Sequence, residues 1–278
     1  MTLGVFLAVL GAALLHATWN ALIKQGIDKL SSILVMTITQ GLIGLSLAMT
    51  MPWPVAEAWP WLIASGILHA AYKLFLVNAY EHGDLSRVYP IARGTAPFLV
   101  LLAGAFLLSD TMQPIEIAGV IVLIAGILTM AQGVWNGGES RKLLPLALGS
   151  ALATAGYSLV DGLGARISGD ATLYVAWLFA LDLVVLLPAT LIFYRRMPLP
   201  QTLRGWAPGM IAAAASYGAY AVAVWAMTIA PIALVTALRE TSILFAVLIG
   251  WLIFGERMGR GKAIAALLIL LGVVLTRL

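Results

Sequence analysis

The chain has 278 residues, of which 62% are hydrophobic and only 10% are charged. A soluble domain usually carries about 25% charged residues, so this chain has too few polar groups to cover a surface that faces only water. We therefore expect part of its surface to face lipid, in keeping with a mean hydropathy of +1.01. The lack of cysteine excludes disulfides and thiolate metal sites, and the small net charge of +4 argues against a nucleic-acid partner.

Ten apolar segments follow one another along the chain, separated by short connectors such as MPWPVAEAWP after the second segment. A helix needs about 20 mostly apolar residues to cross about 30 Å of hydrocarbon. The segments lie at 3–23, 32–51, 60–80, 86–108, 114–133, 143–163, 172–194, 206–228, 232–253 and 260–277. They predict an all-α integral membrane protein with ten transmembrane helices and no soluble domain. We expect a bacterial inner (cytoplasmic) membrane, with the first segment retained because it lacks the basic start of a signal peptide.

The chain also contains an internal repeat, which divides it into two halves at 1–135 and 140–278 that together form one structural unit. An offset of 146 residues pairs Arg93 with Arg239, Thr95 with Thr241, Asp110 with Glu256, Gly119 with Ala265 and Gly126 with Gly272. Because each half has five predicted spans, an odd number, the second half must enter the membrane from the opposite side. The sequence therefore predicts two inverted five-helix repeats, an arrangement typical of secondary transporters, with the substrate site near the midplane between them.

Lysine and arginine are concentrated in the connectors that follow the odd-numbered spans, for example at Arg195, Arg196 and Arg204. Positively charged connectors usually face the cytoplasm. This bias predicts that both termini lie on the opposite side of the membrane.

The fourth span of each half ends in an acid, in LLSD at 107–110 and IFGE at 253–256, before a fifth span that carries glycine. Over the whole chain this pattern resembles the EamA type of the drug/metabolite transporter superfamily. Gly119 and Gly126, seven residues apart, resemble the glycine pair that packs the last helix of the related small multidrug exporters, and Gly272 keeps the second glycine in the other half. The resemblance implies a ten-helix basket around a central cavity and alternating access. It fixes neither the substrate nor the direction, since the family includes both exporters and importers.

Two arginines are the first candidates for a substrate site. An ionisable group inside a span is a functional hypothesis by default, and Arg93 and Arg239 occupy matching points of the fourth and ninth spans. Pro90, Gly94 and Pro97 predict a break in the helix beside Arg93. Each guanidinium has the geometry to bind a carboxylate or phosphonate in bidentate fashion; the alternative is that it ties helices together through carbonyls or an acid.

Three acids within spans are candidates for binding an amine or carrying a proton. Glu240 follows Arg239 directly, and Asp182 lies deep in the seventh span. Asp161 falls near the predicted end of the sixth span, where we expect it to be solvated. For each acid the alternative is a structural pair with a basic side chain.

Polar residues also recur every four positions on two spans, which places them on one helix face. These stripes consist of His16, Asn20 and Lys24 on the first span, and of His69 and Lys73, with Tyr72 beside them, on the third. Such a stripe should face the interior of the bundle, where histidine binds substrate, relays protons or bonds one helix to another. Lys24 lies closer to the interface, where snorkelling is expected.

An aromatic box for a cation or a ring is a further candidate. Its members would be Trp19, Trp177, Tyr217, Tyr220 and Trp225. Core packing or an interfacial belt is the alternative for any one of them. Tyr157 and Ser158, which precede Asp161 on the sixth span, are separate polar candidates.

The leading functional hypothesis is a secondary transporter for a small zwitterion or anion, such as an amino acid or aminophosphonate. The alternative is an exporter of organic or quaternary ammonium cations that uses an acid and the aromatic box. Neither HExxH nor GxSxG is present and no ATP-binding motif occurs, so we expect no enzyme, metal or cofactor. The energy would come from a gradient, with protons as a candidate coupling ion, and the transporting unit would be a monomer or weak dimer.

Overall fold

A computed structural model describes residues 1–24, 29–82, 85–130, 143–252 and 259–278. Its helices are α1 (Leu3–Lys24), α2 (Lys29–Ala48), α3 (Trp59–His82), α4 (Leu85–Leu107), α5 (Pro114–Met130), α6 (Leu143–Ser168), α7 (Ala171–Tyr194), α8 (Leu203–Ile229), α9 (Ile232–Arg239), α10 (Ser242–Leu252) and α11 (Arg260–Leu275). A short 3₁₀ turn at Ala56–Ala58 precedes α3. Every regular element in the described ranges is helical, which confirms the predicted all-α class.

Seven stretches within the described residues are long and apolar enough to cross a membrane. They are Leu3–Leu22, Leu30–Ala48, Ala56–Ala79, Leu144–Ser168, Ala171–Tyr194, Leu203–Ile229 and Ile232–Ile249. Two shorter apolar stretches lie in α4 and α5, at Arg93–Phe106 and Pro114–Thr129. Large apolar side chains also cover the outside of the bundle, as at Ile192 and Phe193, each 71% exposed. The chain is thus an integral membrane protein whose outer face is suited to lipid.

Local caps define the turn that joins α6 to α7. Gly169 adopts a left-handed conformation, with φ of +75°, after the last residue of α6. Asp170 then caps α7, because its carboxylate accepts hydrogen bonds from the backbone nitrogens of Thr172 at 2.7 Å and Leu173 at 3.1 Å. This tight connection sets α7 directly beside α6, where both helices contribute to the central cavity.

The bundle is held together mainly by contacts between the two halves of the chain. The most extensive contacts join α5 with α11, α3 with α6, α1 with α8 and α2 with α7. In addition, α4 packs on α6, and α1 packs on both α9 and α10. The core of the described residues is therefore built from both halves of the chain.

Glycines bring α5 and α11 to backbone contact. A Cβ atom on Gly119 would lie 2.9 Å from the carbonyl oxygen of Gly272, and one on Gly126 would lie 3.0 Å from that of Ala265. Because the position of the partner on α11 falls as the residue number on α5 rises, the two helices run antiparallel. Small residues permit this close approach, and the van der Waals contact that it allows is one of the forces that hold helices together in lipid.

The prediction of a helix break beside Arg93 is wrong, because α4 is one continuous helix over Leu85–Leu107. Gly94 serves packing instead: a Cβ atom there would lie 2.8 Å from Cγ2 of Ile127 on α5. The interruption occurs in the other half, where α9 ends at Arg239 and α10 begins at Ser242. Between them the chain makes tight turns, with the nitrogen of Glu240 bonded to the carbonyl of Ala237 at 3.0 Å.

Candidate functional site

A central cavity of about 440 Å³, counting the space at its mouth, lies between helices of both halves. Its polar lining consists of His16, Gln40, His69, Lys73, Arg93, Ser216 and Arg239. Its aromatic lining consists of Trp19, Tyr72, Tyr157, Phe179 and Tyr220, and Met36 adds an apolar patch. No carboxylate is among the described residues that line it. A cavity with an aromatic wall and a few convergent polar groups is the usual form of a small-molecule site.

Arg93 from α4 lines this cavity and is 2% exposed. It forms a hydrogen bond with Nε2 of His16 on α1. Its Nε also lies 3.2 Å from Oε2 of Glu240, which is fully buried at the α9–α10 break. Arg93 is thus an ion-pair partner that joins three helices, and its charge is balanced within the protein.

Arg239, the matching residue of the second half, has a different environment. Its Nη2 donates to the phenol oxygen of Tyr157 at 3.3 Å, and its guanidinium carbon lies 5.1 Å from the ring centroid of Tyr220. Nε and Nη1 are buried and have no hydrogen-bond acceptor among the described residues. A buried charged donor is costly when it is unsatisfied. Two guanidinium donors therefore remain available for a ligand.

His69 and Asp161 form the second polar centre of the cavity wall. His69 Nε2 lies 3.0 Å from Oδ2 of Asp161, which is fully buried. The same carboxylate accepts hydrogen bonds from the hydroxyls of Tyr220, on Oδ2, and of Tyr174, on Oδ1 at 3.3 Å. The expectation that Asp161 is solvated near a helix end is wrong, because α6 continues to Ser168 and carries this acid into the bundle.

Lys73 forms an ion pair with Asp182. In this structure Asp182 therefore binds another side chain of the protein and has a structural role. Lys73 Nζ donates to Oδ2 of Asp182 and, at 2.7 Å, to the hydroxyl of Thr37. The pair links α2, α3 and α7. Lys73 also lines the cavity, on the inward face that its four-residue spacing from His69 indicated.

Aromatic rings surround His69. Its imidazole stacks on Tyr157 at 4.1 Å between ring centroids and makes an edge contact with Tyr220 at 5.2 Å. Tyr72 lies 5.7 Å from Tyr157, and Phe179 lies 5.8 Å from Tyr220. These four rings, hereafter the aromatic wall, connect the Arg239 end of the cavity to the His69–Asp161 pair.

Several predicted site residues lie elsewhere. Asn20 donates its amide to the carbonyl of His16 in its own helix, at 2.7 Å. Tyr217 packs on Phe179 at 4.9 Å behind the wall, and Trp225 is 42% exposed on the outer face. Trp177 belongs to a cluster with two other tryptophans, outside the cavity lining. The side chains of Lys24 and Glu256 lie outside the described residues.

Gln40 and Ser216 were missed by the sequence analysis although both line the cavity. Gln40 is 2% exposed and lies in an apolar span, so its polarity alone was a usable signal. Ser216 stands in an alanine-rich stretch of α8 and carries no comparable signal.

Asp110, the acid that ends the LLSD segment of the fourth predicted span, has a structural role. It forms a bidentate pair with Arg166, at 2.7 and 3.1 Å, and also accepts a hydrogen bond from the backbone nitrogen of Ile232 at 2.9 Å. It therefore stabilises the first turn of α9. This fixes the position of α9, and with it the break that carries Arg239 and Glu240.

The model of the EamA-like transporter family matches the chain twice, over residues 2–132 and 141–278, and the chain belongs to this family of membrane transporters. A solved crystal structure with 20% sequence identity superposes with a TM-score of 0.75, covering 99% of this chain and 98% of that one. At this identity the match shows the fold alone. No curated protein matches the chain. Within the described residues, no group of three His, Asp or Glu side chains has metal-binding geometry.

Proposed function

We propose that the protein is a secondary transporter that moves a small zwitterion or anion, such as an amino acid or aminophosphonate, through the central cavity. One observation carries the proposal: of the three basic side chains in the described lining, Lys73 and Arg93 face carboxylates, whereas two donors of Arg239 have no acceptor within the described residues. A guanidinium with unsatisfied donors attracts an anionic group and repels a simple cation. The three acids nearby, Asp161, Asp182 and Glu240, are each 0% exposed and lie behind the wall.

Arg239 is the proposed anchor for the anionic group. Arg93 and Lys73 already have carboxylate partners, whereas Nε and Nη1 of Arg239 have none within the described residues. A carboxylate or phosphonate would bind this guanidinium in bidentate fashion. It would then satisfy donors that are costly to leave buried and unpaired.

The aromatic wall is the proposed contact for the ammonium group. Tyr157 and Tyr220 both touch Arg239, so a ligand held by that arginine has its next atoms against these rings. A cation over a tyrosine face gains about 0.5–2 kcal/mol, depending on desolvation. The two contacts together favour a compact zwitterion over a plain anion of the same size.

The architecture that we propose is ten spans in two inverted repeats. The 146-residue offset maps Gly119 onto Ala265 and Gly126 onto Gly272. Gly119 lies opposite Gly272, and Gly126 lies opposite Ala265. A two-fold rotation that exchanges the two halves therefore exchanges α5 with α11 and leaves the contact between them unchanged. Because α5 and α11 are antiparallel, the axis of this rotation is perpendicular to both helices. It would therefore lie in the membrane plane, as an inverted repeat requires.

Alternating access would follow from movement of the two halves around the shared cavity. The proposed transporting unit is a monomer or weak dimer. The proposed location is the inner membrane of a bacterium, with a gradient as the energy source and no enzymatic step.

The test is the thermal stability of the detergent-purified full chain with amino acids, aminophosphonates and quaternary ammonium compounds. We expect a zwitterion or anion to raise the melting temperature of the wild type and of Arg260→Gln, a control at an exposed position. The Arg239→Gln variant should lose this stabilisation while remaining folded. Stabilisation by quaternary ammonium compounds alone, unchanged in Arg239→Gln, would refute the proposal and favour a cation exporter.

A further inference from the structure

We propose that the His69–Asp161 pair is a proton-binding site, and that its proton is exchanged for the ammonium group of the transported zwitterion. This inference rests on the proposed function. It makes the protein an antiporter in which one proton moves opposite to each substrate molecule. The assignment comes from the position of this pair in the cavity wall and from the chemistry of its partners.

The pair is built to hold one proton. The carboxylate of Asp161 is fully buried, and its Oδ2 lies 3.0 Å from Nε2 of His69, which lines the cavity. Tyr220 and Tyr174 donate hydroxyl hydrogen bonds to the same carboxylate. With a neutral imidazole the pair has a net charge of −1, and with one more proton it is neutral. Histidine is the residue type that exchanges its proton between pH 5 and 8.

The other buried acid–base pairs of the described residues do not have this property. Asp182 faces Lys73, and Glu240 faces Arg93. An acid paired with a lysine or an arginine is already neutral as a pair, so neither pair offers a net negative charge for an added proton to cancel.

His16 also lines the cavity but is poorly placed to accept a proton. Both of its ring nitrogens face donors: Nε2 faces the guanidinium of Arg93, and Nδ1 lies 3.3 Å from Nε1 of Trp19. A protonated imidazole there would place a second positive charge directly against Arg93. Among the histidines whose side chains are described, His69 is therefore the one with an acid beside it.

The charged and titratable groups around His69 come from five helices. They are Tyr72 and Lys73 on α3, Tyr157 and Asp161 on α6, Tyr174 on α7, Tyr220 on α8 and Arg239 on α9. Lys73 is neutralised by Asp182. Arg239 is separated from the pair by the rings of Tyr157 and Tyr220 and is the group that a bound anion would neutralise.

Exchange follows from charge repulsion. With the anionic group on Arg239, the ammonium group lies against Tyr157 and Tyr220, and His69 touches both rings, at 4.1 and 5.2 Å. Two positive charges so close in a buried cavity repel each other, so the proton leaves the pair for the water on the open side. When the zwitterion departs on the other side, a proton from that side returns to the pair. The zwitterion carries no net charge, so each cycle moves one positive charge opposite to the substrate.

Calorimetry in buffers of different ionisation enthalpy tests the exchange directly on the full chain in detergent. The probe is the zwitterion that stabilises the wild type most among the amino acids and 2-aminoethylphosphonate. We expect release of close to one proton per bound zwitterion below the pH at which the pair loses its proton. The affinity should then rise by up to about tenfold per pH unit, the slope that release of one whole proton produces. The matching ligand without the amino group should release none.

Variants locate the proton. His69→Gln and Asp161→Asn should still bind the zwitterion but release no proton, while Glu116→Gln, an acid-to-amide control outside the cavity lining, should behave as the wild type does. Proton release that persists in both variants would overturn the assignment. If a variant fails to fold, the wild type still tests the exchange: proton release with the zwitterion but not with its amine-free analogue supports it, and equal release with both overturns it.

The outcomes separate the two proposals. Binding of a zwitterion without proton release, or with proton uptake, overturns the exchange and leaves the proposed function standing. Failure of any zwitterion or anion to bind overturns both.

Discussion

The buried pair between Lys73 and Asp182 gives a prediction with opposite outcomes for a single and a double substitution. In Asp182→Asn the ammonium of Lys73, 4% exposed, loses its carboxylate and keeps the hydroxyl of Thr37. Breaking a buried pair from one side costs about 3–5 kcal/mol, because the remaining charge is uncompensated. For a chain of this size that corresponds to a fall in melting temperature of about 6–20 °C.

The double substitution Lys73→Met with Asp182→Leu removes both charges at once. Replacing a buried ion pair by apolar residues is often neutral or stabilising, so the double variant should recover most of the lost melting temperature. Glu116→Gln, at a partly exposed acid 3.9 Å from the N-terminal amine of Met1, should change it by at most about 4 °C, since such a pair near the surface contributes about 0–1 kcal/mol. The assay is thermal unfolding in detergent, followed by tryptophan fluorescence. A double variant as unstable as Asp182→Asn would refute the reasoning.

Two further predictions concern helix packing and the charge of the cavity. Gly126→Leu should lower the melting temperature sharply, because even a Cβ atom there would lie 2.8 Å from backbone of α11. Gly11→Leu, on a face with nothing within 4 Å, is the matched control, and equal losses would show that the glycine contact is unimportant. Glu240→Gln removes the carboxylate 3.2 Å from Arg93 and should tighten binding of an anion by about tenfold, or about 1.4 kcal/mol. Calorimetry measures this, and weaker anion binding would contradict the assigned charge balance.

Most helices were predictable because the requirement for a membrane span acts on each segment separately. About 20 apolar residues must satisfy their backbone hydrogen bonds internally in hydrocarbon, and no partner helix is needed to recognise such a segment. The bounds differ by a few residues, as in α2, which occupies Lys29–Ala48 and not 32–51. The ten-span count remains a prediction, with seven spans evident in the described residues.

The helix break was predicted in the wrong half for a physical reason. Proline and glycine weaken a helix locally, which pointed to the segment around Arg93. There Gly94 packs against α5 and the helix is retained. The actual break has neither residue type, and lies where Arg239 and Glu240 contact Tyr157 and Arg93 across the cavity. Those tertiary contacts are invisible in a local pattern.

The pairing of the buried charges was likewise out of reach. Sequence identified His69, Asp182 and Glu240 as costly residues in spans, but their partners are far along the chain: His69 and Asp161 are 92 residues apart, and Lys73 and Asp182 are 109 apart. Without a fold, any acid was as good a partner as another.

The sequence by itself determined the lipid-facing character of the protein, its helical class, its internal repeat and the family resemblance that the family match confirmed. These properties depend on the composition of each segment, on the length of its apolar run and on matching residues at a fixed offset. Each of them can be read from the sequence segment by segment, without knowing which helices are in contact. The tertiary structure alone decided that Arg93 has an ion-pair partner in Glu240, and that two donors of Arg239 have no acceptor within the described residues. It also decided which acids lie behind the cavity wall. Electrostatic energy depends on distances of a few ångströms between side chains from different helices, and only packing sets those distances.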